Sequence, residues 1–305
     1  MKKVLFCFLT GTIIYLMLFS NESRGIVIRQ GFKEEYNQAI ENSLPGKQYL
    51  FIIAIENYQY WPSIRGPVKE ALGLKKVIVS KYHFDEVKEL YNENATKEAI
   101  RNYLISFQAG RENQLKENDS LLIYFSGHGQ SYTEESWNGY WIPYNADIDI
   151  NSRAYWFSNS ELTGLINKIK SNHILIVSDS CYASTLISNG YDSDNSENIQ
   201  NTFPEIYNRC SKKVLTSGGF EKVPGKSEFA RLFTLELEKN KKPWIEIKEI
   251  YMAIRFNLIE TTGYFPEYGY LNNSNCNSPA SFILFTHEGW NILFNTKSTY
   301  NITFQ

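Results

Sequence analysis

Apolar runs of strand length alternate with segments of helical periodicity along most of the chain. Continuous apolar runs at 49–55, 120–125 and 173–178 are typical of strands that are covered on both faces of a parallel sheet. Shorter runs at 86–91 and 213–216 predict two more strands. Helical periodicity recurs in five segments: 68–79, 97–108 (with Thr96 as N-cap), 160–171, 229–240 and 245–260. This alternation predicts an α/β fold, a mostly parallel sheet with helices on both faces.

The first 23 residues depart from this pattern. Lys2 and Lys3 precede an apolar run at 4–19, and a polar segment follows at once. The run is short for a membrane span, so it favours an export signal at 1–23 and a protein that is periplasmic or extracellular. No Ala-x-Ala cleavage pattern follows, so an uncleaved membrane anchor is the alternative. Residues 24–46 form an N-terminal extension, with a short charged helix expected at 31–43.

Composition and charge exclude several classes of protein. With 43% hydrophobic residues, the chain is neither disordered nor a multi-span membrane protein. Its 31 Lys and Arg against 33 Asp and Glu give a net charge of −2, which predicts no nucleic-acid partner. Four cysteines are too few for a disulfide scaffold, although Cys210 and Cys276 could pair after export. The sequence does not indicate an oligomeric state.

Two of the predicted buried strands end in residues capable of chemistry. Ser126-Gly127-His128-Gly129 follows the run at 120–125, and Asp179-Ser180-Cys181 follows the run at 173–178. Ligands of open parallel sheets bind at the carboxyl ends of the strands, so the topology can bring these segments together. An imidazole beside a thiol raises its thiolate fraction and supplies a proton to a leaving group. The residues therefore suggest a Cys181/His128 dyad; the alternative is a small buried cysteine and an ordinary polar histidine.

Six short motifs occur in order between residue 49 and about residue 285. They are Ile55-Glu56-Asn57-Tyr58, Ile64-Arg65-Gly66-Pro67-Val68-Lys69-Glu70-Ala71, Ser126-Gly127-His128-Gly129, Gly139-Tyr140-Trp141-Ile142-Pro143, Asp179-Ser180-Cys181 and Leu215-Thr216-Ser217-Gly218-Gly219. In this order they resemble the caspase-like cysteine peptidases (clan CD, peptidase C14 type), and within them the bacterial metacaspase-like branch. The resemblance implies a caspase-like peptidase domain at 47–286, followed by a C-terminal tail at 287–305. It further implies Cys181 as nucleophile, His128 as general acid and base, and an oxyanion hole from the N–H groups of Gly129 and Cys181.

The resemblance also implies a substrate pocket formed by Asp179, Glu70 and Ser126. Two carboxylates match a guanidinium or an ammonium group and repel an acidic side chain, which favours cleavage after Arg or Lys. Alternatively, Asp179 orients its loop and Glu70 is a solvated helix charge. The usual Asn-Asp-Ala of the family reads Lys69-Glu70-Ala71 here. If the enzyme instead cut after aspartate, Arg65 would be the candidate for binding that residue.

We therefore expect a cysteine endopeptidase that acts on protein or peptide substrates. The alternatives are a peptidase that cuts after aspartate and a caspase-fold interaction module without turnover. No zinc spacing occurs, and we expect no cofactor; some metacaspases use calcium, but no EF-hand pattern assigns it here. The remaining histidines, His83, His173 and His287, are expected to be structural or exposed.

The segment 188–209 predicts an exposed polar loop after the nucleophile. From Ser184 to Asn208 it contains neither lysine nor arginine. An enzyme specific for basic residues therefore either remains a single chain or cuts itself once, after Arg209.

Overall fold

The computed structural model describes residues 4–9, 12–17, 44–131, 138–188, 207–218, 226–276 and 278–295. The helix expected at 31–43 and most of the loop at 188–209 lie outside these ranges. In the described part of the chain, no helix is both long enough and apolar enough to cross a membrane. The predicted export signal thus stays a prediction.

The described ranges contain strands and helices in alternation. In chain order the strands are β1 (Val4–Leu9), β2 (Thr12–Met17), β3 (Gln48–Ala54), β4 (Glu86–Tyr91), β5 (Ser120–Ser126), β6 (Gly129–Ser131), β7 (Gly139–Trp141), β8 (Phe157–Ser158), β9 (His173–Asp179), β10 (Ser211–Thr216), β11 (Trp244–Glu246), β12 (Glu267–Tyr270) and β13 (Ile283–Phe285). The helices are α1 (Pro67–Lys81), α2 (Lys97–Ser106), α3 (Asn159–Ile166), α4 (Glu228–Lys239), α5 (Ile247–Thr262) and α6 (His287–Asn295).

A six-stranded sheet forms the centre of the domain, in the order β12-β10-β9-β5-β3-β4. Strands β3, β4, β5, β9 and β10 run parallel, and only the edge strand β12 is antiparallel to its neighbour. The prediction of a mostly parallel α/β fold is confirmed. All carboxyl ends of the parallel strands consequently lie along one edge of the sheet, which is where such sheets bind ligands.

Each face of the central sheet is covered by its own set of helices, because successive side chains of a strand point to opposite faces. On one face, Ile123 and Ile176 pack with α2 and α3; we call this the α2/α3 face. On the other face, Leu122 and Val177 pack with α1, α4 and α5; we call this the α1/α4 face. Strands covered on both faces account for the continuous apolar runs in the sequence.

Smaller elements complete the domain. Strands β6, β7 and β8 form a three-stranded antiparallel sheet beyond the carboxyl edge of the central sheet, and β11 pairs with β13. Strand β11 includes Ile245, which the periodicity placed in a helix; its backbone pairs with Leu284 of β13 instead. The region predicted as a tail at 287–305 begins with α6, whose Trp290 packs on Phe285.

A disulfide joins Cys210 to Cys276, with 5.6 Å between their Cα atoms. It links the residue before β10 to the segment after β12. The sequence left this pairing open because the two cysteines are 66 residues apart.

Candidate active site

The register of two neighbouring parallel strands brings the two candidate catalytic residues together. In the β5–β9 ladder, Ser126 pairs with Asp179. His128 and Cys181 each lie two positions beyond this pair, so both leave the sheet at the same edge. The N–H of Gly127 donates to the Asp179 carbonyl at 3.4 Å, which continues the contact past the strand ends.

Gly129 packs directly on the backbone of Cys181. A Cβ atom at Gly129 would lie 2.0 Å from the Cys181 carbonyl oxygen and 3.0 Å from its nitrogen, so this position admits no side chain. The Ile142 N–H donates to the His128 carbonyl, and Gly129 faces Trp141 in the next register position. Because hydrogen-bonded and non-hydrogen-bonded pairs alternate in an antiparallel ladder, the N–H of Gly129 points away from β7.

His128 is held by residues from the segment that follows β3. Its backbone N–H donates to the Tyr58 hydroxyl at 2.7 Å, and the two rings lie 4.9 Å apart. The imidazole Nε2 lies 2.8 Å from the carbonyl oxygen of Pro62. Since a carbonyl oxygen only accepts hydrogen bonds, Nε2 carries the proton and Nδ1 retains its lone pair. Nδ1 is therefore the basic atom of this imidazole.

Cys181 is half-buried, lies outside the disulfide and begins a tight turn. The next residue, Tyr182, has a left-handed backbone with φ of 57°. Its carbonyl oxygen accepts hydrogen bonds from Asn159 Nδ2 at 3.2 Å and from Thr185 Oγ1 at 3.0 Å. These bonds to α3 and to the following 3₁₀ turn stabilise a conformation that is uncommon for a residue with a side chain.

Asp179 points to the α1/α4 face, as do Tyr124 and Ser126 by strand alternation. It is 3% exposed, and its carboxylate has no close hydrogen bond to the described residues, although the Ser227 and Ser217 hydroxyls lie near enough to lower its pKa. Burial raises the pKa of Asp179 to about 6 from an ordinary 3.8, and the nearby hydroxyls of Ser227 and Ser217 only partly oppose that shift. The ionised carboxylate is thus costly in the unliganded protein.

Glu70 lies in the first turn of α1, on the same side of the sheet. Its Oε1 accepts a hydrogen bond from the backbone N–H of Ser227 at 2.9 Å, just before α4. Burial raises the pKa of Glu70; the nearby charge of Asp179 adds to this, while the Ser227 N–H opposes it. Glu70 is therefore not the solvated helix charge considered as an alternative.

A cleft of about 930 Å³ opens between α1 and α4. Glu70 and Ser227 line it, and so does Arg65. It also contains charges of both signs, among them Glu56 and Lys226. Of the predicted pocket residues, Glu70 lines this cleft, whereas Asp179 and Ser126 do not, and neither do His128 and Cys181.

Comparison with known proteins identifies the family. The caspase domain model of the peptidase C14 family matches residues 47–286. The chain belongs to the caspase-domain family. Membership supports a cysteine peptidase type of function in general. Among curated proteins, none matches the sequence significantly. The chain is also similar to the crystal structure of protein GSU0716 from Geobacter sulfurreducens, at 13% identity and a TM-score of 0.49, over 73% of this chain and 92% of that one.

The caspase domain contains site residues that sequence reasoning did not single out. Asn159 and Thr185 bind the turn after Cys181, and Tyr58 and Pro62 hold His128. Tyr58 belongs to a motif that carried the family resemblance, so a signal for it existed. Pro62 acts through its backbone carbonyl, which any residue could supply, so no signal marked it.

Proposed function

We propose that this caspase domain is a metacaspase-like cysteine endopeptidase that hydrolyses peptide bonds after arginine or lysine. Cys181 is its nucleophile, and His128 is its general acid and base. The observation that carries the proposal is the β5–β9 register, which sets both residues two positions beyond the Ser126/Asp179 pair. The Pro62 carbonyl supports it further, because it directs the proton to Nε2 and leaves Nδ1 for the thiol.

The reaction proceeds in two steps. Nδ1 of His128 takes the thiol proton of Cys181, and the thiolate sulfur attacks the carbonyl carbon of the scissile bond. The N–H groups of Gly129 and Cys181 stabilise the oxyanion of the tetrahedral intermediate. The imidazolium then gives its proton to the leaving amine, and a thioester remains on Cys181. In the second step Nδ1 takes a proton from water as the water oxygen attacks the thioester carbon. The carbon–sulfur bond then breaks, the substrate leaves with a new carboxyl terminus, and the imidazolium returns its proton to Cys181.

The preference for a basic residue rests on the environment of Asp179. A carboxylate whose burial outweighs its two nearby hydroxyls gains from a ligand that brings further donors and a positive charge. An arginine or lysine side chain of the substrate brings both. Ser126, which is on the same face, and Glu70, which lines the cleft, complete the proposed pocket. Arg65 lines that cleft and is the residue to test if the preference proves acidic.

A panel of fluorogenic peptides that end in Arg, Lys or Asp tests the proposal on the full chain. We expect cleavage after Arg and Lys, and none with Cys181→Ala or His128→Ala, because the two residues act as one unit. Both variants should have the same midpoint of unfolding in urea as the wild type. No cleavage of any peptide by the wild type, with and without calcium, would contradict the proposal and favour an interaction module.

We also propose that the enzyme acts on protein or peptide substrates in an oxidising compartment, as the Cys210–Cys276 disulfide favours. Such a location agrees with an export signal or membrane anchor at 1–23.

Calcium enters no step of this mechanism. Within the described ranges, no group of three or more His, Cys, Asp or Glu side chains has the arrangement to hold a metal ion.

A further inference from the structure

Aromatic and apolar side chains gather beside His128. The ring of Trp61 lies 5.6 Å from the His128 imidazole and 5.5 Å from the ring of Trp156. The indole N–H groups of Trp61 and Trp156 both donate to the carbonyl oxygen of Asp147, at 3.2 and 2.6 Å. These bonds fix the segments around residues 61, 147 and 156 against one another next to the imidazole.

These three segments also present large apolar side chains to solvent. Tyr60 is 52% exposed, Ile148 is 54% exposed and Tyr155 is 52% exposed. We call these three residues and Trp61 the aromatic surface. Single exposed apolar side chains are ordinary, but a group of them on neighbouring segments marks a binding site.

We propose that the aromatic surface binds a large apolar side chain of the substrate, within the first two residues after the scissile bond. This inference rests on the proposed function. It adds a second specificity site, for the part of the substrate that leaves with the amine.

The direction of the substrate follows from the chemistry of His128. Its Nδ1 must reach the nitrogen of the leaving amine to protonate it, so the chain after the scissile bond passes the imidazole. The side chain before the scissile bond is bound on the α1/α4 face, where Asp179 lies. The residues that follow the bond therefore continue over the imidazole, away from that pocket.

The aromatic surface lies in that direction. Trp156, which Trp61 contacts, accepts a hydrogen bond through its carbonyl from Lys97 Nζ at 2.8 Å, and Lys97 begins α2 on the α2/α3 face. Tyr58, which holds His128, packs against both the core of that face and the cluster around Trp156. The part of the substrate that leaves with the amine thus runs toward the Trp156 cluster, with the dyad between it and the side chain bound at Asp179.

Internally quenched peptides test this subsite on the full chain. Two peptides share one sequence up to a single arginine, and the next two residues are either Phe-Phe or Gly-Gly. We expect kcat/KM to be about tenfold higher for the Phe-Phe peptide, since burial of a single phenylalanine side chain is worth at least that much. The double variant Tyr60→Ser/Tyr155→Ser should bring this ratio close to one.

The ratio is internal to each protein, so a general loss of activity does not affect it. Phe256→Ser is the matched control, because Phe256 is an equally apolar side chain, 66% exposed, on α5; it should leave the ratio at the wild-type value. An equal rate for both peptides, or an unchanged ratio in the double variant, would overturn the subsite. Cleavage of a fluorogenic arginine amide, which has no peptide on the leaving side, would then still support the proposed function. If neither peptides nor amide are cleaved, the function and the subsite both fail.

Discussion

Two buried aspartates lie at opposite ends of the same pair of strands, β5 and β9, and they differ in their hydrogen bonds. Asp119 precedes β5 at the amino edge of the sheet; its Oδ1 accepts from the Lys47 N–H at 2.8 Å and its Oδ2 from the Lys116 N–H at 2.7 Å. Asp179 ends β9 at the carboxyl edge, and neither of its oxygens has such a bond to the described residues. The domain thus gives one carboxylate two backbone donors and leaves the other buried, with a raised pKa.

The neighbours of the two aspartates show the same difference. At the amino edge, the Tyr207 hydroxyl bonds to the Asn118 carbonyl at 3.0 Å and to Ser120 Oγ at 2.9 Å. At the carboxyl edge, the hydroxyls of Tyr124 and Ser217 are buried without a close hydrogen bond to the described residues, and Ser126 and Asp179 are their nearby polar neighbours. Unsatisfied buried polar groups each cost free energy of folding, so their concentration around Asp179 is typical of a binding site.

Removal of the Asp119 carboxylate, which accepts two backbone hydrogen bonds, should have the largest effect on stability. Asp119→Ala leaves the part-buried N–H groups of Lys47 and Lys116 without their carboxylate acceptor, at about 1–3 kcal/mol each. We expect the free energy of unfolding in urea to fall by about 3 kcal/mol or more. If the free energy of unfolding fell by less than about 1 kcal/mol, the Asp119 carboxylate would not be the stabilising group that we contrast with Asp179.

Asp179→Asn should mainly affect catalysis. The variant loses the charge-assisted hydrogen bond to a basic side chain, worth about 1.5–3 kcal/mol, so kcat/KM for arginine peptides should fall about 10- to 100-fold. Peptides that end in aspartate serve as the control and should remain poor substrates. If the wild type cuts after aspartate and ignores arginine, the acidic pocket is wrong.

Asp179→Asn should also make the protein more stable at neutral pH, although most substitutions make a protein less stable. Because the pKa of Asp179 is raised to about 6 in the folded protein, the folded state binds more protons than the unfolded state between pH 3.8 and 6, and stability falls as pH rises through this range. Asp179→Asn does not lose stability in this way, because its amide side chain does not titrate. Urea unfolding should show little difference from the wild type at pH 3.5, and a variant more stable by on the order of 2–3 kcal/mol at pH 7.5. A less stable variant at pH 7.5 would show that Asp179 is satisfied after all.

The smallest expected effect concerns the residues that precede β10, at the amino edge of the central sheet. Arg209 lies between the buried Tyr207 and the disulfide-bonded Cys210, and a protease must pull such a segment into extended form. We therefore expect no self-cleavage after Arg209 in the oxidised protein, and slow cutting there by trypsin in Cys181→Ala. Tyr207→Phe together with a reductant should accelerate this cut, as mass spectrometry of the fragments would show.

Two results would contradict this prediction. One is rapid cleavage after Arg209 in the oxidised wild type. The other is a set of fragments that end at Asp192 or Asp194 and are absent from Cys181→Ala, which would also contradict the basic pocket.

The sequence predicted the elements that periodicity and local chemistry determine. The apolar runs predicted the five parallel strands, with β4 at its observed bounds, and Thr96 caps α2 by accepting the Ala99 N–H. The positions of His128 and Cys181 after two such runs indicated a shared edge. Other features depend on tertiary contacts: Ile245 joins β11 because β13 lies beside it, and Glu70 binds the Ser227 N–H from 157 residues away. Periodicity has no access to contacts of this kind.

The disulfide has a consequence for any two-chain form of the enzyme. Cys210 and Cys276 both follow the segment 189–206, so a cut within that segment would leave two polypeptides without a covalent bond between them. The six-residue ladder between β9 and β10 would then become an intermolecular contact, in the middle of the central sheet. The product would be a noncovalent heterodimer with the nucleophile on one polypeptide and β10 on the other. Its survival on dilution would depend on noncovalent contacts alone, chiefly this ladder and the hydrophobic core.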